Sequence, residues 1–110
     1  MKEERPTERS WLSELAPGEA RLRCAYVRRG KALNRFTVQL EIRLGDQWVA
    51  VIRYDNAHGF CHRDVLHPDG RQDKVHVFIG DVNATFTFAI EDLRVHWEAH
   101  RARFLGEKQA

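Results

Sequence analysis

Between Phe36 and Leu44 the chain alternates apolar and polar residues without a break, setting Phe36, Val38, Leu40, Ile42 and Leu44 against Thr37, Gln39, Glu41 and Arg43. Successive side chains on a strand point to opposite faces, so this period of two describes a strand buried on one side and wet on the other. The pattern excludes an all-helical fold and calls for an antiparallel sheet with one face covered. Gly45-Asp46 ends the strand in a tight turn. Gln47 to Tyr54 is then apolar on both faces, with Trp48, Ala50, Ile52 and Tyr54 on one and Val49 and Val51 on the other, as suits a central strand joined by a hairpin.

The flanking sequence extends this unit. Upstream, Leu22, Cys24 and Tyr26 alternate with Arg21, Arg23 and Ala25 in a first strand that turns at Arg29-Gly30-Lys31. Downstream, Phe60 to Leu66 reads as a weaker strand, His67-Pro68-Asp69-Gly70 as a turn, and Val75 to Ile79 as a fifth strand before Gly80. Ser10 to Leu15, with Trp11, Leu12 and Leu15 behind a capping serine and Pro17-Gly18 after them, reads as a short helical segment docking through Trp11. Residues 1–9 are charged around Pro6 and read as a flexible arm. Phe86, Ile90, Leu93, Trp97, Arg101 and Phe104 recur at steps of three and four, which predicts one long helix, capped by Asp81 or Asn83 and terminated by Gly106, with 107–110 as a tail. The expectation is an α+β fold: a single domain over 10–106 in which a curved antiparallel meander of about five strands carries the carboxy-terminal helix on one face.

The 110 residues, 43% hydrophobic and 31% charged, are enough for one domain with its own core, so neither disorder nor a disulfide scaffold is called for. No apolar run approaches the roughly 18–20 residues that cross a bilayer, and no apolar segment follows Met1-Lys2-Glu3-Glu4-Arg5, so a cytoplasmic protein without a membrane partner is expected. Cys24 and Cys61 lack the paired spacing of a zinc site and read as free thiols.

Chemistry concentrates around the loop after Tyr54. His58, His62, His67 and His76 fall close together with Arg53, Asp55, Asn56, Arg63 and Asp64, groups that exchange protons near neutral pH or hold anions. Metal-free RNA cleavage needs a base for the 2′-hydroxyl proton, an acid for the leaving 5′-oxygen and a cation for the phosphorane. His62, His58 or His76 can supply the first two, Arg53 or Arg63 the third, and Asp55 or Asp64 can orient a histidine. The bland alternative makes Asp55 and Asn56 turn residues, His62 a half-buried strand residue, and His67 and His76 wet surface. A metal set drawn from His58, Cys61, His62, Asp55 and Asp64 competes, but adjacent strand residues face opposite ways, and no metal or other cofactor is expected.

The net charge is only +2, yet residues 20–40 carry Arg21, Arg23, Arg28, Arg29, Lys31 and Arg35 and no acid. Together with Arg63 these cations suit a phosphate backbone; equally, they suit a solvated hairpin whose charges keep an edge soluble. Val82, Phe88 and Val95 fall off the helical stripe and offer either a dimer or partner contact or packing at a sheet edge. His96 and His100, one turn apart, read as a wet helical face.

Arg53-Tyr54-Asp55-Asn56-Ala57-His58, the later His62, and Lys74-Val75-His76-Val77 resemble the pattern of the TumE-like toxins of toxin–antitoxin pairs. They also resemble a related group of small bacterial and archaeal proteins sharing Arg-Tyr-Asp-Asn-Ala-His-Gly followed by His-Arg-Asp. The resemblance is best over residues 36–105. It implies a toxin directed at RNA or translation, ribonuclease-like, with a helix-turn-helix antitoxin as partner. The reading from another class is a non-catalytic interaction module or a dimeric structural domain, in which the polar loop is structural and the helix binds a partner.

Overall fold

The computed structural model describes residues 5–57, 59–77 and 79–110. Six strands, β1 (Thr7–Ala16), β2 (Ala20–Arg29), β3 (Ala32–Leu44), β4 (Gln47–Asp55), β5 (Cys61–Leu66) and β6 (Gln72–Val77), precede one helix, α1 (Val82–Gln109). The strands pair in chain order into one antiparallel sheet, and α1 lies against β2 to β5, mostly over β3. This is an α+β fold. Among the described residues no helix is long and apolar enough to cross a membrane.

The sheet has six strands rather than five, because Ser10 to Leu15 is not helical but part of β1. A helix of six residues leaves most of its backbone groups unpaired, whereas nine residue pairs with β2 satisfy them along a ladder. That ladder begins at Thr7, inside the stretch expected to be an arm. Trp11 nonetheless docks as expected: its ring meets Tyr26 at 5.8 Å and Phe86 of α1 at 6.3 Å, both edge-on.

On the helix side Leu22 and Cys24 from β2, Phe36, Val38, Leu40 and Ile42 from β3, and Ile52 and Tyr54 from β4 form the core with Ala89, Leu93 and Phe104 of α1. The strict alternation of β3 thus does face the helix. Leu93 is buried with Val38, Leu40 and Ile42, but Ile90 and Trp97 are only partly buried. The contact seam runs through Thr85 and Ala89, whose small side chains let α1 approach the sheet, and the larger residues flank it.

One bulge redistributes β4. Leu40 pairs with Ile52 but Glu41 with Ala50, so Val51 is an extra residue. The inserted residue reverses the facing of what precedes it. Trp48 and Ala50 therefore share the helix-free face with Glu41, while Val49 joins Ile52 and Tyr54 on the helix side, against the single-face grouping expected from spacing.

Asp81 caps α1, its Oδ1 accepting from Ala84 N at 2.8 Å. Asn83 has a different task, accepting from Leu33 N and donating to Lys31 O, which ties the helix start to the β2–β3 turn. Gly106 does not end the helix, which continues to Gln109. A mid-helix glycine costs only about 1 kcal/mol relative to alanine. The final turn is held by Glu107, which accepts from Arg103 and engages His67 at 2.9 Å.

Candidate functional site

The face of the sheet away from α1 is rolled. A groove of about 810 Å³ there is lined by β1 residues Glu8 and Ser10 and by β6 residues Gln72 and Lys74, so both edge strands reach the same hollow. Its floor is low because Ser10, Ala25 and Thr37 stand side by side in register on β1, β2 and β3.

Two neighbouring cross-strand rows carry the chemistry. In the first, Asp55 pairs with His62 and His62 with His76. In the second, Arg53 pairs with Asp64 and Asp64 with Lys74. The fold therefore brings Arg53, Asp55, His62, Asp64 and His76 together on one face, which depends on the register of β4, β5 and β6. His58 lies outside the described residues. His62 is buried and His76 exposed, with ring centroids 5.4 Å apart, and Phe60 covers both at 4.8 and 4.5 Å. Asp64 is only 4% exposed, and its Oδ1 is buried without a hydrogen-bond partner among the described residues. A buried carboxylate oxygen left unpaired costs stability.

A second layer of the same face holds the arginines. Glu41, 5% exposed, accepts from Arg21 Nε at 2.8 Å, Arg23 Nε at 2.9 Å and Gln39 Nε2 at 2.7 Å. Gln39 in turn accepts from Arg53 Nε at 2.8 Å. Trp48 steadies Arg21, whose guanidinium sits 4.0 Å from the ring centroid. Burial by itself would raise the Glu41 carboxyl, but the hydrogen bonds from Arg23, Arg21 and Gln39 outweigh it and hold the pKa below its ordinary value.

Other candidates are placed elsewhere. Arg35 lines the groove. Arg28 and Arg29 lie at the far end of β2 and Lys31 in the turn beyond it. Arg63 alternates with His62 and Asp64 and so points to the helix side, beside the Tyr54 hydroxyl, where it opposes the rise that burial and Asp92 impose on the tyrosine. Cys61 also faces that side, paired with Val77, which separates it from His62 as a common ligand set would not allow. Both cysteines are buried and unpaired, and burial pushes each thiol up to about 11.

Three members of the Arg-Tyr-Asp-Asn core do structural work. Asn56 accepts from Phe36 N at 2.9 Å and donates to Asn34 O at 3.0 Å, bracing the bulge at Asn34 that shifts the β2–β3 register. Asp55 Oδ1 accepts from Ala57 N at 3.0 Å, an Asx-type turn. Tyr54 donates to Asp92 Oδ2 at 2.6 Å, and Asp92 Oδ1 meets His96 Nδ1 at 3.1 Å, pinning α1 to β4. His100, expected on a wet helical face, is half-buried, and burial lowers its pKa against the opposing pull of Asp92.

Sequence reasoning passed over Glu41, Gln39 and Lys74 as site residues. The signal that would have found Glu41 is positional, since it is the only acid of β3 and stands opposite Arg21 once register is known.

A family model described as a domain of unknown function, DUF7718, matches residues 1–110. The chain belongs to that family. No curated protein and no solved structure matches it significantly.

Proposed function

We propose that the chain is a toxin-like, RNA-directed enzyme that cleaves a phosphodiester without a metal, on the open face of the sheet. The observation that supports this reading most is the pair of adjacent rows, proton-exchanging groups in one (Asp55, His62, His76) and cations flanking a buried carboxylate in the other (Arg53, Asp64, Lys74). In the reaction one imidazole takes the 2′-hydroxyl proton, the 2′-oxygen attacks phosphorus, and the P–O5′ bond breaks as the leaving oxygen receives a proton from the second. A 2′,3′-cyclic phosphate remains. His76, being exposed, is the imidazole that meets the substrate first; His62 joins when Phe60 is displaced by an incoming base. Arg53 and Lys74 stabilise the phosphorane charge, with Asp64 standing between them in register. A helix-turn-helix antitoxin is the partner this reading requires.

The test is expression and cleavage with His76→Ala, His62→Ala and Arg53→Ala. Each is expected to reduce cleavage about 10²–10⁴-fold and to relieve growth arrest, with the unfolding midpoint near that of the parent for His76→Ala. Cleavage should persist in chelator and yield cyclic phosphate ends. Harmless expression without an antitoxin, together with RNA left intact by pure protein, would overturn the reading.

A second reading, a non-catalytic interaction module or homodimer, is favoured by one observation. Phe88 (38% exposed), Val95 (66%) and Val75 (46%) are apolar and exposed on the helix side. Val82, grouped with them from spacing, is instead packed partly against the core.

A further inference from the structure

The arginines beside the groove are oriented from beneath, and that orientation has a use the two catalytic rows do not explain. Arg21 and Arg23 each spend Nε on the buried Glu41, and Arg53 spends Nε on Gln39, itself bonded to Glu41. Among the described residues no hydrogen bond engages their Nη groups. Glu41 is thus shared among three guanidinium groups, directly or through Gln39, while Glu14 stands opposite Arg21 and Asp64 opposite Arg53, and the Arg23 side chain is 53% exposed. A guanidinium fixed at Nε still presents its terminal donors, the arrangement that receives an oxyanion.

Register sets where that oxyanion lies. Arg23, Gln39, Arg53, Asp64 and Lys74 stand in one cross-strand line, two residues along the strands from the line holding Asp55, His62 and His76. Along the strands the two lines are about 6.8 Å apart, and across them, at about 4.8 Å per strand, Arg53 is one strand and Arg23 three strands from His62. Of the negative groups on this face, Asp64 lies within the line, Asp55 and Glu8 lie nearer the groove and Glu14 stands opposite Arg21; between Arg23 and Arg53 stands the neutral Gln39, and Glu41 beside it already accepts from three donors.

We propose that Arg23 and Arg53, positioned by Gln39 and Glu41, form a phosphate subsite that holds a single-stranded polynucleotide beside the histidine row. The proposal takes its occupant from the reading of the chain as RNA-directed, but its chemistry is that of binding and is separable from cleavage. Of these residues Arg53, Asp64 and Lys74 also line the groove of about 810 Å³, so a strand lying along it passes the subsite, and the choice of an unpaired strand over a duplex is what the experiment tests.

The experiment measures binding of a short 2′-O-methyl RNA, which lacks the attacking hydroxyl, and of the same sequence as a duplex, over a range of salt. The single strand should bind and the duplex should bind at least about tenfold more weakly. Arg23→Ala should weaken single-strand binding about tenfold and lower the salt slope by about 0.7, the loss of one phosphate contact. Glu41→Gln separates orientation from charge: it adds positive charge, so a merely electrostatic face would bind more tightly, whereas loss of the anchor should weaken binding. Should Glu41→Gln not fold, Gln39→Ala, which changes no charge, is expected to weaken binding in the same direction. Unchanged affinity and slope in Arg23→Ala, tighter binding in Glu41→Gln, or equal binding of the duplex would overturn the subsite. Binding without any cleavage of ordinary RNA discards the ribonuclease and leaves the subsite standing.

Discussion

The two faces of the sheet are made from alternate residues of the same strands, yet they solve opposite problems. Under α1 the buried side chains are Leu22, Val38, Leu40, Ile42, Ile52 and Leu93, which need only complementary shape. On the other face Glu41, His62 and Asp64 are buried just as deeply, and no helix covers them. They are sheltered because the sheet rolls and because long neighbours lie over them, Arg21 and Arg23 above Glu41 and Phe60 above His62. Burial of polar groups is costly unless they are paired, so a fold that keeps them on an uncovered face spends stability there and recovers it on the side facing the helix.

The comparison is broken most severely by changing the helix side. Leu40→Ala or Leu93→Ala should destabilise the protein by about 2–5 kcal/mol, read from denaturant unfolding. Arg23→Ala on the open face should cost less, about 1–2 kcal/mol through the lost hydrogen bond to Glu41, while altering nucleotide binding. If both faces responded alike, the division between a packing face and a working face would fall.

Tyr54→Phe comes next. It removes the 2.6 Å hydrogen bond to Asp92 and should cost about 1–2 kcal/mol, with a non-additive double mutant when combined with Asp92→Ala. An additive pair would mean that the bond does not hold α1 to the sheet. Asp81→Ala should cost about 1 kcal/mol through loss of the helix cap, measurable as a lowered unfolding midpoint.

The smallest effects are in pH, and two histidines near α1 carry opposite signs. Hydrogen bonds to Glu107 and then Asp73 raise the His67 pKa, so its contribution is complete below the ordinary value near 6.5 and fades as pH rises through the raised one. Burial lowers the His100 pKa, so its contribution is present above the ordinary value and fades as pH falls through the lowered one. Stability profiles of His67→Ala and His100→Ala should therefore flatten on the alkaline and acid sides respectively. Flattening on the same side would contradict the assignment.

Much of this was legible in the chain. The alternation of Phe36 to Leu44 identified β3 and its buried face, the stripe from Phe86 to Phe104 identified α1, and Asp81 was read as one of two caps. Density of histidine, arginine and aspartate after Tyr54 marked the loop whose neighbours now share a face. The failures have one origin. β1 was misread because Trp11, Leu12 and Leu15 fit helical spacing as well as they fit a strand with Leu15 as its extra residue, and only the presence of β2 alongside decides between them. Trp48 and Ala50 were misplaced because a single added residue, Val51, inverts a facing that period two alone propagates. Arg63 was grouped with Arg53, yet the pairing of Tyr54 with Arg63 puts it under the helix.

Local pattern alone was enough to identify five of the six strands and the helix, since periodicity is a property of neighbouring residues and burying an apolar stripe is worth the same wherever the partner lies, whereas β1 needed β2 beside it. Tertiary structure decided the rest: the bulges, the order of the rows, the roll that joins the two edges, and the seating of three arginines around Glu41. Those depend on register between strands up to 20 residues apart, as with Arg21 and Glu41, and no local pattern encodes a registration that is settled only when both strands are hydrogen-bonded at once.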